Sequence, residues 1–272
     1  MFFIPTSSIS LSLLLLTPII IVCAQNAPVK VACPKDLIRS IGPTTHPSLS
    51  AEEVEYVSTR RKEVLPGAWK HYLQSVTAAL PPQASLPRYV SEILTPSHVS
   101  PNQDFPTLGL ALSGGGLRAA YFAAGVLTSL DGRNKTVPTG TNGVLQAATY
   151  LAALSGGAWL TTALVQANLP TIPDLVFPTI NPNQPPSNSQ FGGFLTGVDL
   201  LLPNGATGNN TGYLEAVVAE LSQKHAAGFP VTIVDAWSRQ IARHFVNGTT
   251  AANILEEGTH GTGILFSALR NL

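Results

Sequence analysis

Two short stretches of this 272-residue chain carry the residue types of acyl-transfer chemistry. One is Leu154-Ser155-Gly156-Gly157-Ala158-Trp159, where an apolar segment ends in a serine set among small residues. With Ala153 in front, it nearly matches the Gly-x-Ser-x-Gly elbow that perches a nucleophile on a tight turn. An elbow needs small neighbours so that other chain segments can pass close by, and Ala153, Gly156, Gly157 and Ala158 meet that need. The competing reading is that Ser155 only caps the helix that follows. The other stretch is Ser113-Gly114-Gly115-Gly116-Leu117-Arg118. Consecutive glycines admit positive φ and bring backbone N–H groups close to a bound group, and at a helix N-terminus the dipole favours negative charge there. An oxyanion or a phosphate would be held. Bland turns and nucleotide loops share this composition, but the Lys-Ser/Thr pair of a P-loop is missing, which argues against a nucleoside triphosphate. Arg118 falls in the first turn of the expected helix, where a cation opposes the dipole. It therefore points to an anionic partner, either a structural carboxylate or a substrate phosphate gripped by the planar guanidinium.

Strands and helices must position these groups. Leu108, Leu110 and Leu112 sit in a run short and apolar enough for a buried parallel strand, and Leu117 to Leu127 is alanine-rich and long enough for a helix. Ser113 to Gly116 is then the strand-to-helix turn. After the elbow a helix is expected to about Asn168.

Taken together, SGGGLRA at 113–119 and LSGGAW at 154–159 resemble the glycine-arginine and nucleophile motifs of the fungal lysophospholipases (phospholipase B), a family related to cytosolic phospholipase A2 and more distantly to patatin. The likeness extends to Cys33-Pro34, Arg60-Arg61 and the segment from Asp235 to Arg239. It implies an α/β fold of the three-layer patatin and cytosolic phospholipase A2 kind, incomplete here, with a central, mostly parallel sheet flanked by helices. It also implies Ser155 as nucleophile, Gly115 and Gly116 as oxyanion donors, Arg118 on the substrate phosphate, no metal or other cofactor, and a lysophospholipid or phospholipid substrate met at a membrane surface. Ala153 and Ala158 depart from the family pattern but are small. The larger departure concerns the family's Ser-Asp dyad, whose aspartate lies in an Asp-Gly-Gly-like turn. None of Asp36, Asp104, Asp131, Asp174, Asp199 and Asp235 is followed by a glycine pair. The chain is accordingly expected to be an N-terminal portion of the catalytic domain.

Residues 1–24 are strongly apolar and end in Val22-Cys23-Ala24, the pattern of a secretory signal peptide, although no Lys or Arg precedes Lys30. The remainder, 25–272, suffices for one large α/β domain. Fifteen basic and fifteen acidic residues cancel, and charged residues make up only 11%, so nothing points to nucleic acid or to a polybasic lipid-binding patch. Sequons at Asn134, Asn209 and Asn247 agree with a secreted or cell-surface glycoprotein. Cys33 is left without a mate once Cys23 departs, which reads either as a buried free thiol or as a cysteine whose partner lies past Leu272.

Elsewhere, Ser50 is expected to cap a helix running to Val64, and a second helix is expected after Pro66, with Trp69, Tyr72, Leu73 and Val76 on one face. Arg88 to Leu94 reads as a short helix. Residues 169–212 read as a long loop whose Phe177, Phe191, Phe194 and Leu195 either pack onto the domain or face an acyl chain as a lid. Tyr213 to His225 and Ala236 to Val246 are helical by period, Val231 to Val234 is strand-like or begins the second of these, and His225 and His244 read as helix-surface residues. Two other functions compete with the dyad hydrolase. One is an esterase complete in this chain, with Asp235 and His260 following Ser155 in α/β-hydrolase order. The other is a secreted lipid-binding protein without turnover.

Overall fold

A computed structural model describes residues 28–30, 32, 43, 48–92, 105–134, 140–176, 194–195, 197–246 and 254–255. The signal-like segment, Cys33, Phe177, Phe191, Asn247 and His260 lie outside them. Ser50 caps α1 (Ala51–Thr59) as the sequence predicts, its Oγ accepting the Glu53 N–H at 3.2 Å, with Glu52 and Glu53 in the first turn where the dipole favours acids. No break follows. A π-helical turn, Arg60–Val64, carries the chain straight into α2 (Leu65–Ala79). Pro66 stands in the first turn of α2, directly after the π-helical turn, and does not end the helix. On the expected apolar face Leu73 is buried, while Trp69, Tyr72 and Val76 are half-buried. Helix α3 (Arg88–Ser91) is shorter than predicted, and Ile93 and Leu94 fall outside the described residues.

Strands β1 (Leu108–Leu112) and β2 (Ala148–Ala153) pair in parallel, with Leu112 opposite Ala153. Parallel neighbours need a crossover, and α4 (Gly116–Leu130) with the short α5 (Val144–Ala147) provides it. After β2 comes α6 (Gly156–Gln166). The architecture is mixed α/β, a small parallel sheet flanked by helices. The main core lies between α4 and α6, where Ala120, Ala124 and Leu127 meet Leu160, Ala163 and Leu164. The alanines that both helices contribute let their backbones approach, and the leucines keep the interface filled.

The stretch 169–212 is not all loop, since it contains α7 (Ile172–Val176), whose Ile172, Leu175 and Val176 are buried. Phe194 is 3% exposed and its ring centroid lies 4.6 Å from that of Phe245. Phe194 thus packs onto the domain and is not a lipid-facing side chain. Of the two readings of Val231 to Val234, the helix entry holds: Thr232 is the N-cap and forms a capping box with Asp235 that opens α9 (Ile233–Phe245), which packs against α8 (Thr211–Ala226).

Polar anchors fix these pieces. Asp131, at the end of α4 and 1% exposed, accepts hydrogen bonds from Arg133 and Gln146, while Arg133 also donates to the carbonyls of Leu169 and Pro170. Burial pushes the Asp131 carboxyl up, but the Arg133 and Gln146 hydrogen bonds outweigh it and hold the group below the usual range. Arg243 and Glu220, 0% and 1% exposed, join α9 to α8 through an Nη2 to Oε1 hydrogen bond of 2.6 Å. Their mutual attraction offsets a desolvation penalty that either would carry alone.

His225 is exposed as expected, but His244 is not: it is 4% exposed, with Nδ1 2.9 Å from the Gln240 carbonyl and Nε2 3.2 Å from the Asp199 carbonyl. The surface expectation failed because α9 packs against the 194–200 segment, a contact no helical period reveals. Burial pushes the His244 pKa below its ordinary 6.5. The unfolded chain therefore binds a proton there more readily than the folded one, and stability falls as pH drops below about 6.5, until the folded group also titrates. Urea midpoints taken from about pH 8 to about pH 5 are expected to decline through this window, with a shallower decline in His244→Gln.

Candidate active site

Where Leu112 and Ala153 pair, both strands end and both turn into helices, so the two glycine turns stand side by side at the carboxyl rim of the sheet. Parallel sheets present ligands at this rim. The Leu154 N–H donates to the Leu112 carbonyl at 3.0 Å, which extends the ladder and brings Ser155 beside Gly114. A β-carbon on Gly114 would stand 2.7 Å from the Ser155 Cβ and 3.5 Å from its Oγ. Only glycine leaves that room.

Ser155 has φ 50° and ψ −123°, a region that side-chain-bearing residues rarely enter and that costs roughly 1–3 kcal/mol. The strain is that of an elbow. Its side chain makes no capping bond to α6, so the capping reading falls. Ser155 is exposed, and among the described residues its hydroxyl has no hydrogen-bond partner.

Gly156 and Gly157 serve a second close approach. A β-carbon on Gly156 would lie 2.0 Å from the Gly116 carbonyl oxygen, and one on Gly157 2.8 Å from the carbonyl oxygens of Leu112 and Ser113. The backbones of the two turns therefore touch, with Gly115 at φ 136° and Gly116 at φ 65°. This contact brings together the N-termini of α4 and α6, each carrying about half a positive charge and N–H groups without intrahelical partners. Neither helix has an acid in its first turn. Arg118 adds a full positive charge, is exposed and has no ion-pair partner among the described residues. Such a site can stabilise negative charge developing beside an exposed serine. A largely apolar cavity of about 540 Å³ opens next to it, between β1 and α4, and reaches Gly114, Gly115 and Arg118.

Ser155, Gly115, Gly116 and Arg118 thus gather at one rim. Gly114 is the member that sequence reasoning did not single out, and its signal was a third glycine beyond the two assigned as donors. Asp235 does not join them as a free carboxylate. It accepts hydrogen bonds from Thr232 and pairs with Lys224, and the bond from Lys224, followed by those from Thr232, lowers its pKa to about 2. The other described aspartates are also engaged: Asp131 as above, Asp174 with the Thr171 hydroxyl, and Asp199 with the N–H groups of Leu201 and Leu202. Among the described residues no group of three His, Cys, Asp or Glu side chains is placed to hold a metal ion. Asn209 is exposed before α8, whereas Asn134 is half-buried and its Nδ2 donates to the Thr128 carbonyl at 3.1 Å.

Residues 108–261 match the family model described as lysophospholipase catalytic domain. Lysophospholipase 1 of Schizosaccharomyces pombe is 32% identical over 220 residues, covering 80% of this chain and 30% of that protein. Lysophospholipase 1 of Aspergillus fumigatus is 32% identical over 226 residues, 82% of this chain and 32% of that protein. The chain thus spans about a third of the length of these curated relatives. No solved structure matches.

The Gly114 contact yields a direct check. Alanine is allowed by the backbone there but must displace Ser155, and a shift near 1 Å at a reacting atom lowers rates about 100-fold. Gly114→Ala is expected to slow labelling by a fluorophosphonate probe by that order while leaving the circular dichroism spectrum unchanged.

Proposed function

The chain belongs to the lysophospholipase catalytic domain family, whose curated members named above are carboxylic ester hydrolases, and from that premise we propose that it hydrolyses the acyl ester of lysophospholipids through Ser155. The observation that carries the reading is the strained, exposed Ser155 held against the glycine turn by the Gly114 approach. In this reading Ser155 Oγ attacks the ester carbonyl carbon and passes its proton to a carboxylate. The N–H groups of Gly115 and Gly116 hold the tetrahedral oxyanion. Collapse expels the glycerol oxygen, which takes the proton, and water then releases the fatty acid from the acyl-enzyme by the reverse sequence. Arg118 grips the phosphate, which would explain a cation in the first turn of α4.

The base in this reading is the aspartate of a Ser-Asp dyad, outside the described residues, since each described aspartate is already engaged. The β1-α4-β2-α6 unit is then the centre of a three-layer, patatin-like domain. The enzyme is a secreted or cell-surface glycoprotein that meets its substrate at a membrane surface, led out by residues 1–24 and glycosylated most readily at Asn209. Among the described residues no helix is long and apolar enough to cross a membrane. A triad of Ser155, Asp235 and His260 is the weaker reading because the Asp235 carboxylate caps α9 and binds Lys224.

Acyl release from lysophosphatidylcholine by the chain is the test. Ser155→Ala is expected to lower it by at least about a thousandfold. Release that persists in that variant removes Ser155 from the mechanism, and release lost in His260→Ala favours the triad. Arg118→Ala is expected to weaken phosphate-bearing substrates about 10- to 100-fold in kcat/KM, the value of a hydrogen bond to a charged group, while neutral esters change little.

A further inference from the structure

Helix α4 carries more than an anion-binding end. Arg118, Phe122, Val126 and Leu130 lie four residues apart and form one stripe along it, and all four line the cavity beside the glycine turn. The stripe starts with a cation and continues apolar. Phe122 is 75% exposed and Val126 40%, an apolar face that a water-facing helix would not ordinarily present. The opposite wall is β1, with Leu110 and Leu112.

We infer that this groove binds the acyl chain of the substrate, with its polar end at Arg118 and its methyl end toward Leu130, an assignment that rests on the ester-hydrolase reading above. The groove is complementary to a single-chain amphiphile from head to tail. Among the described residues that line the groove, positive charge and free N–H donors stand at the Gly115 and Arg118 end, and the methylene stem of Arg118 can line the mouth while its guanidinium stays in water. The groove also meets the nucleophile, because Gly114 belongs to its lining and lies against Ser155. The size agrees. The twelve residue steps of helix from Arg118 to Leu130 rise about 18 Å, and one acyl chain spans half of a hydrocarbon core about 30 Å thick. The cavity of about 540 Å³ lies within the range of small-ligand sites, roughly 300–1,000 Å³. Phe122 and Val126 thereby become determinants of chain length.

The test compares p-nitrophenyl hexadecanoate with p-nitrophenyl butanoate as substrates, and separately follows binding of dansyl-undecanoic acid to the Ser155→Ala chain. Val126→Trp, which fills the groove, is expected to lower the long-to-short rate ratio at least about tenfold and to weaken dansyl-undecanoic acid by a similar factor. Phe122→Ala, at an exposed position that the fold does not need, is expected to lower both severalfold, and it decides the matter if the tryptophan variant does not fold. An unchanged ratio with ordinary hydrolysis overturns the groove assignment and leaves the esterase reading standing. Fatty-acid binding that responds to both substitutions in a chain without any Ser155-dependent hydrolysis supports the groove and removes the esterase. A Ser155→Ala chain that binds no fatty acid, as when protein covers the groove, overturns the assignment.

Discussion

The contact between two backbones at the carboxyl rim of the sheet is the constraint on which the site depends. A β-carbon on Gly156 would stand 2.0 Å from the Gly116 carbonyl oxygen, and one on Gly114 2.7 Å from Ser155 Cβ. No rotamer choice relieves such distances, because atoms of the main chain or the first side-chain carbon are involved. Small residues at these positions are therefore a steric requirement, and through it the two turns become one surface. Parallel pairing of β1 with β2 supplies the other half of the arrangement by delivering both turns to the same rim.

The contact has an electrostatic consequence. Two helix N-termini are brought together with no acid in either first turn and with Arg118 beside them, so positive potential accumulates where Ser155 is exposed. Such an arrangement does not lower the energy of the empty fold, and the backbone of Ser155 adds strain. Both features become favourable when an anion or a tetrahedral oxyanion occupies the rim. The apolar stripe of α4 continues from the same place, so a cationic end and an apolar face share one helix.

The rest of the fold holds α4 and α6 still. Alanines and leucines of both helices share one buried cluster, Asp131 and Arg133 clamp the end of α4 to the Leu169-Pro170 backbone, and Trp159 of α6 lies against Phe245 and Trp237 of α9. The Arg243 and Glu220 pair in turn secures α9 to α8. Buried charge of this kind contributes little net stability against an apolar isostere, but removing one partner would strand the other.

Short-range rules made β1, α4, α6 and both glycine turns legible, since an apolar run, a glycine turn and an alanine-rich helix each declare themselves within a few residues. The family likeness followed from the same two motifs. The Ser50 cap was legible for the same reason, and the continuity of α1 into α2 was missed because a proline reads as a stop unless its place in the first turn is known. The pairs that long separation creates stayed hidden. Glu220 with Arg243 prompts no reading, Asp235 reads as a triad acid and not as a cap, and His244 reads as a helix-surface group, because helical period shows which residues share a face but not what covers it. The sequence by itself determined which residue types are on offer: a serine among small residues, a run of glycines and an arginine. Only the tertiary structure decided that Gly114 is the residue touching Ser155 and that the Arg118 stripe faces an open groove, since close approach and exposure depend on which backbones the parallel register sets side by side.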